Sequence, residues 1–226
     1  MKKYLPTILV VLAVLGVVAF IVWALMRPEQ SADQAKTLSA QETAELQQGH
    51  SLGNSDSKVV LTEFGDYQCP ACGQWHPFIK DTVLPKYQDR IKFVFKNLPL
   101  VNIHKNALIA AQAAEAAALQ GKFWEMHNKL YETQAQWEND SNDQAKGKFE
   151  GYARELGLDV GRWKNDFDSA QVRDIIKADS ALADKLQLPG TPSFLINGQI
   201  VDTKNGFEDL TNALDKALGQ SPQPSQ

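Results

Sequence analysis

The two cysteines of this 226-residue chain stand three positions apart, in the segment Cys69-Pro70-Ala71-Cys72. The segment before them, residues 58–67, is largely apolar and β-branched, which predicts a strand. The segment after them predicts a helix that begins at Cys69-Pro70 and runs towards Lys86, with interruptions at Pro77 and Pro85. Positions i and i+3 share one face of a helix, so we expect the two sulfur atoms to meet.

The start of a helix changes the chemistry of a thiol that lies there. Its first N–H groups have no partner within the helix, and the helix dipole adds a positive partial charge. Both favour a thiolate over a thiol, so we expect a lowered pKa for Cys69. Cys72 lies one turn into the helix and is expected to be the less exposed, resolving thiol.

Two other interpretations of this spacing compete with a redox-active pair. Half of a zinc site would need further ligands from four histidines, no two of which have the usual zinc-finger spacing: His50, His76, His104 and His127. A purely structural disulfide would close a two-residue loop, which removes little chain entropy and forms a strained ring. The spacing therefore favours redox chemistry that needs no metal and no bound cofactor.

An uncharged, apolar run of 23 residues, 4–26, opens the chain. A helix of this length can cross a hydrocarbon core of about 30 Å, and the run is longer than the apolar core of a typical cleaved signal peptide. Lys2 and Lys3 precede the run, whereas Arg27 alone follows it directly. By the positive-inside rule, we expect a single-pass anchor in the cell membrane, a cytoplasmic N-terminus and an extracytoplasmic main domain. A cleaved signal peptide is the alternative.

Charge excludes one broad class of function for the main domain. Without the three basic residues of 1–27, the chain has 20 basic and 27 acidic residues, a formal charge of −7. This segment lacks the basic excess of a nucleic-acid-binding protein.

The remaining pattern indicates an α/β domain interrupted by helices. We divide the chain into a cytoplasmic start and anchor (1–27), a polar linker (28–57), the main domain (58–219) and a disordered tail (220–226). The linker includes a possible helix that Ser39 caps. Strands are predicted at 91–97 and 193–196, the latter followed by an Asn197-Gly198 hairpin turn and a return strand at 199–202. Helices are predicted at 107–119, 122–134, 144–156, 159–168, 169–188 and 207–218. Most of them form a helical insertion at about residues 100–188.

A second motif, Gly190-Thr191-Pro192, directly precedes the hairpin. Together with the strand, the C-P-x-C helix and the helical insertion, it resembles the thioredoxin superfamily, in particular its DsbA-like branch and the membrane-anchored, BdbD-like members. The strings 61–70 (LTEFGDYQCP), 97–100 with His104, and 121–127 (GKFWEMH) are similar to this family as well. The resemblance covers residues 55–218. It implies a thioredoxin-like α/β fold with an inserted helical domain, here preceded by a transmembrane helix.

The resemblance also implies roles for five residues. Cys69 would be the attacking and leaving sulfur and Cys72 the resolving one. Thr191 and Pro192 would form a cis-proline loop that binds substrate backbone beside the disulfide. Glu63 matches a buried acid that moves protons for Cys72; the alternative is an exposed charge on an edge strand. One departure is Ala71, where strongly oxidising relatives often carry a histidine, so we expect a milder oxidant.

Three functions are consistent with these residues. The first is a thiol–disulfide oxidoreductase that oxidises secreted or membrane proteins with cysteines and is itself reoxidised by a DsbB-like, quinone-linked membrane partner. The second is a reductase or isomerase of extracytoplasmic disulfides. The third is a non-catalytic binding or chaperone module, against which the presence of both cysteines argues.

Overall fold

The computed structural model describes residues 38–219 together with Phe20 and Trp23. The chain divides into two units, residues 1–37 and 38–226. No helix of the described residues is long and apolar enough to cross a membrane. The predicted anchor at 4–26 lies outside the described residues except for Phe20 and Trp23, and the predicted disordered tail lies outside them entirely.

The described part of the second unit is built on a single sheet. Its strands are β1 (His50–Gly53), β2 (Val60–Gly65), β3 (Lys92–Asn97), β4 (Ser193–Ile196) and β5 (Gln199–Ile200). Their spatial order is β1-β3-β2-β4-β5. The β2–β3 pair is parallel and the other neighbours are antiparallel. Strand β2 is therefore central, and all six of its residues are buried.

Helices surround this sheet, and most of them lie between β3 and β4 in the sequence. The helices are α1 (Ala40–Gln47), α2 (Pro70–Phe78), α3 (Leu84–Tyr87), α4 (Ala107–Ala118), α5 (Phe123–Glu132), α6 (Gln134–Trp137), α7 (Asn142–Glu155), α8 (Val160–Phe167), α9 (Ala170–Leu186) and α10 (Phe207–Ala217). The insertion thus comprises α4 to α9, and the predicted thioredoxin-like α/β architecture with inserted helices is confirmed.

The helix after the cysteines changes its hydrogen-bonding pattern near the prolines. A π-helical segment, Ile79–Val83, joins α2 to α3, with Pro77 inside α2 and Pro85 in the first turn of α3. Proline removes one N–H donor and crowds the preceding turn, so a regular helix cannot continue through both positions.

The insertion packs through an alanine-rich helix. Nine residues of α4, seven of them alanines, are buried. Small side chains let α5, α7, α8 and α9 approach α4 closely, and the large side chains of Trp137, Phe149 and Trp163 fill the surrounding core. This core also contains Cys69 and Cys72, so the helical insertion and the cysteine pair share one packed interior.

The folded unit begins earlier than the sequence analysis proposed. The polar composition of residues 28–57 predicts a linker, but Leu38 onwards belongs to the compact unit. Ser39 and Glu42 form the capping box of α1, and β1 pairs with β3 from His50 to Gly53. Strand β1 is short, and its position depends on pairing with β3, whose partner residues lie 39 to 45 positions later in the sequence. Local sequence pattern does not reveal such a pairing.

Candidate active site

The turn between β2 and α2 places the cysteines at the start of a helix. One Asp66 carboxylate oxygen accepts a hydrogen bond from the Gln68 N–H at 2.8 Å, and the Asp66 carbonyl accepts one from the Cys69 N–H at 3.1 Å. Cys69 is the N-cap residue of α2 and Pro70 occupies its first turn, where a missing N–H costs nothing. The predicted position of both cysteines is therefore observed.

Cys69 has the properties of a reactive thiol. Both cysteines are free, and the Cys69 Sγ lies 3.4 Å from the Thr191 carbonyl oxygen. Its pKa falls to about 5, chiefly because the Cys72 thiol hydrogen-bonds to it. Partial burial opposes this effect, while Thr191 and the N–H groups of Cys72 and Ala71 lower the pKa further. The expected stabilisation of a thiolate at the helix start is present, with the neighbouring thiol as its largest source.

Cys72 has the opposite character. Its side chain is fully buried, and burial raises its pKa well above the ordinary value. The hydrogen bond to Cys69 and the negative charges of Cys69 and Glu63 raise it further. At neutral pH the pair therefore consists of one thiolate and one thiol.

Glu63 lies inside the protein rather than on an exposed edge strand. It pairs with Phe95 of β3 on one side and Phe194 of β4 on the other, and its exposed fraction is 3%. Burial raises its pKa to about 8. The carboxyl is thus largely protonated at neutral pH, close enough to Cys72 for its charge to affect the Cys72 pKa.

The loop before β4 supplies the opposite wall of the site. The Thr191–Pro192 peptide bond is cis, and the Ser193 hydroxyl donates to the Gly190 carbonyl oxygen at 2.7 Å. Cys69, Cys72, Thr191 and Pro192 thus come together.

A polar network behind the cysteines was not foreseen in the sequence. The second Asp66 carboxylate oxygen accepts hydrogen bonds from the Leu100 N–H at 3.0 Å and from His104 Nδ1 at 2.7 Å. His104 thus fixes the loop after β3 to the turn that carries the cysteines. A histidine–aspartate pair separated by 38 positions has no local signature in one sequence.

Two other histidines pack beside the cysteine pair. His127 hydrogen-bonds to the Tyr67 hydroxyl at 3.0 Å, and the ring of His76 stacks on Tyr131 with centroids 4.9 Å apart. Burial lowers the pKa of both histidines, that of His76 to about 4. Both histidines are therefore neutral at physiological pH. Among the residues that the structure describes, no three His, Cys, Asp or Glu side chains gather as a metal site.

A family model described as thioredoxin matches residues 45–216. The chain belongs to the thioredoxin family. The match extends from the end of α1 to the last turns of α10 and so includes both the sheet and the helical insertion.

Individual members of the thioredoxin family support this assignment. The chain is 29% identical to a probable disulfide bond formation protein D of Bacillus anthracis, over 92% of both chains. The structure of oxidised BdbD from Bacillus subtilis superposes with a TM-score of 0.66 and 26% identity, covering 75% of this chain and 92% of BdbD. These matches confirm the predicted resemblance to DsbA-like and BdbD-like thioredoxin-fold proteins.

Another relative is much longer than this chain. The chain is 34% identical over 169 residues to the Na(+)/H(+) antiporter NhaA 1 of Salinispora arenicola. This match covers 75% of the chain but 24% of the antiporter, so the chain spans about a quarter of that relative's length.

Proposed function

We propose that the protein is a thiol–disulfide oxidoreductase that oxidises cysteine pairs of secreted or membrane proteins outside the cytoplasm. The observation that carries this proposal is the opposite shift of two neighbouring thiols, a lowered pKa for Cys69 and a raised one for Cys72. Such a pair at a helix start, facing Thr191, suits disulfide exchange better than structural cross-linking.

The reaction begins from the Cys69–Cys72 disulfide. A client thiolate attacks Cys69 Sγ, forming a mixed disulfide and breaking the bond to Cys72, which leaves as a thiolate. A second client thiolate then attacks the client sulfur of the mixed disulfide and expels Cys69 as a thiolate. The client loses two electrons and gains a disulfide, and the Cys69/Cys72 pair gains both electrons.

Glu63 completes the proton balance of the first step. Cys72 is buried and has a raised pKa, so its departing thiolate needs a proton. The protonated Glu63 carboxyl can supply that proton and is then reprotonated from solvent. The reverse transfer prepares Cys72 for reoxidation.

Thr191 and Pro192 would hold the client chain. Proline has no backbone N–H, so Pro192 leaves the approach to Cys69 unobstructed by an unpaired donor. The backbone of Thr191 can pair with an extended client segment in the manner of an added β-strand. This arrangement would bring a client cysteine next to the Cys69 sulfur.

The low pKa of Cys69 favours the oxidising direction. A stable Cys69 thiolate stabilises the reduced pair and therefore makes the disulfide a stronger oxidant. Ala71 adds no cation between the cysteines, so we expect a potential less negative than that of thioredoxin (about −270 mV) but below that of the strongest oxidases (about −120 mV).

The proposed location follows from the charge and hydropathy pattern of residues 1–27. An anchor at 4–26 with a cytoplasmic start would hold the catalytic domain outside the membrane. A DsbB-like, quinone-linked membrane protein would then reoxidise the cysteine pair, as the DsbA-like resemblance implies. Clients would be folding proteins that reach the same compartment with free cysteines.

A redox titration combined with a refolding assay tests the function. We expect a potential above about −270 mV and oxidation of reduced, unfolded ribonuclease A. Cys69→Ser cannot form the Cys69–Cys72 disulfide and should not oxidise ribonuclease A. A potential at or below that of thioredoxin, with faster reduction of insulin than oxidation of ribonuclease, would support a reductase. Thiol exchange absent from the intact protein, with client binding that survives loss of both cysteines, would support a non-catalytic module.

A further inference from the structure

One side-chain amide of the helical insertion binds the backbone on both sides of Gln68. The Gln134 Nε2 group donates to the Tyr67 carbonyl oxygen at 2.7 Å and to the Cys69 carbonyl oxygen at 2.9 Å. Gln134 is the first residue of α6. Both hydrogens of one amide group therefore go to the turn that leads into the cysteine pair.

The residue between these two carbonyls is bound to the insertion as well. The side-chain Nε2 of Gln68 donates to the Glu138 carbonyl oxygen at 2.6 Å, and the side-chain Oε1 of Gln68 accepts from the Asn106 N–H at 2.6 Å. Three consecutive residues, 67–69, thus make hydrogen bonds to the insertion. The position of Cys69 depends on the insertion in addition to the sheet.

Gly73 provides the space that Gln134 occupies. A Cβ atom at position 73 would lie 2.5 Å from the Gln134 Oε1 atom and 3.1 Å from its Cδ atom. Glycine is otherwise unfavourable inside a helix by about 1 kcal/mol relative to alanine. The absence of a side chain at Gly73, directly after Cys72, is explained by the amide group packed against it.

We infer that Gln134 is a positioning residue: it holds the Cys69 backbone so that the first N–H groups of α2 face the Cys69 sulfur, and it thereby links the helical insertion to the reactive thiol. The inference rests on the proposed redox role of Cys69 for its significance. It does not depend on clients or on the direction of electron flow.

Two features connect this contact to thiol reactivity. The Cys69 carbonyl also accepts the first helical hydrogen bond, from the Gly73 N–H at 3.0 Å, so a rotation of that peptide disturbs the N-terminus of α2. The N–H groups of Ala71 and Cys72 act on the Cys69 sulfur and stabilise its thiolate only while they point towards it. Loss of the amide donors is therefore expected to destabilise the thiolate.

The test is the pH dependence of Cys69 alkylation by iodoacetamide in the full chain. For Gln134→Leu, we expect a higher apparent Cys69 pKa and about threefold slower alkylation near pH 5. Gln136→Leu is the matched control, because Gln136 is exposed on the same helix and is expected to leave the profile unchanged. Gly73→Ala should reproduce the Gln134→Leu effect by displacing the amide.

A double-mutant cycle separates positioning from a general loss of stability. In a Gln134→Ala background, Gly73→Ala should not change the Cys69 profile further, because the amide it displaces is already gone. Lower stability with an unchanged Cys69 profile in Gln134→Leu and in Gly73→Ala would overturn the inference. If Gln134→Leu does not fold, the Cys69 alkylation profile of Gly73→Ala alone tests the inference. This variant is expected to fold, because alanine stabilises a helix more than glycine does. Alkylation needs no client, so failure of the oxidase proposal leaves this test intact.

Discussion

The Cys69 Sγ atom lies 3.4 Å from the carbonyl oxygen of Thr191, a residue 122 positions later in the sequence. The sheet creates this proximity, because β2 leads to Cys69 and its neighbour β4 begins directly after Pro192. The Cys69 sulfur and the segment proposed to hold the client chain therefore lie next to each other.

The first prediction concerns the source of the low Cys69 pKa. In the wild-type protein, we expect half-maximal alkylation of Cys69 near pH 5 and little reaction of buried Cys72. Cys72→Ala removes the hydrogen bond that lowers the Cys69 pKa most, so the Cys69 pKa should rise in this variant. Cys72→Ser keeps a hydroxyl donor, so its Cys69 pKa should lie between those of the wild type and Cys72→Ala. Iodoacetamide rates measured by mass spectrometry test this. Equal profiles for all three proteins would assign the effect to the helix terminus instead.

The second prediction concerns Glu63 and the pH dependence of stability. Its folded pKa of about 8 lies above the ordinary value of 4.5 for a glutamate, so the native state binds more protons than the unfolded state between these values. The free energy of unfolding should therefore fall as pH rises from 5 to 8, by several kcal/mol from this group. Glu63→Gln should remove this decline and stabilise the protein at pH 8.

Urea denaturation at both pH values measures this effect, and Asp174→Asn is the control because Asp174 is exposed on α9. The two substitutions make the same chemical change, from carboxyl to amide, at a buried and at an exposed position. The same pH dependence in Glu63→Gln and in the wild type would contradict the assignment. Glu63→Gln should also slow reduction of the disulfide, because no carboxyl remains to protonate Cys72.

The sequence predicted the elements whose cause is local. An apolar run, a proline in a first helical turn and alanine-rich helical spacing each act within a few residues, and β2, α2 and α4 lie where those signals place them. Strand β1 was missed because His50–Gly53 gains its structure from pairing with β3. The same distinction between local and distant causes applies to the residues of the site. The cysteine pair stands out in the sequence, whereas Gln134 and His104 act through contacts to residues 65 and 38 positions away.

The third prediction concerns a buried ion pair between Lys96 of β3 and Asp179 of α9. Lys96 Nζ donates to Asp179 Oδ1 at 2.9 Å, and both side chains are 8% exposed. The Asp179 pKa is raised above its ordinary value, chiefly by burial. Lys96 opposes this shift, and the charge of Glu115 adds to it. Lys96→Met leaves the carboxylate unpaired and should cost roughly 3–5 kcal/mol of stability.

The loss should deepen as pH rises, since the variant raises the Asp179 pKa further and the native state then holds a proton that the unfolded state releases. Thermal unfolding at pH 4 and pH 7 measures both effects. Lys204→Met is the control: its partner Asp202 lies 2.7 Å away, but both side chains are mostly exposed, so little change is expected. A comparable loss in both variants would show that burial is not the cause.

The last prediction concerns Ala71, the second of the two residues between the cysteines. Ala71 is exposed in the first turn of α2 and provides its N–H group, but no charge, to the Cys69 sulfur. Ala71→His would add a cation there below the imidazole pKa and stabilise the Cys69 thiolate, making the disulfide potential less negative by about 10–30 mV at pH 6. The gain should shrink at pH 8, where the imidazole is neutral. Ala71→Gln, measured by the same glutathione titration, controls for side-chain size. Equal potentials for the two variants at pH 6 would exclude charge as the cause.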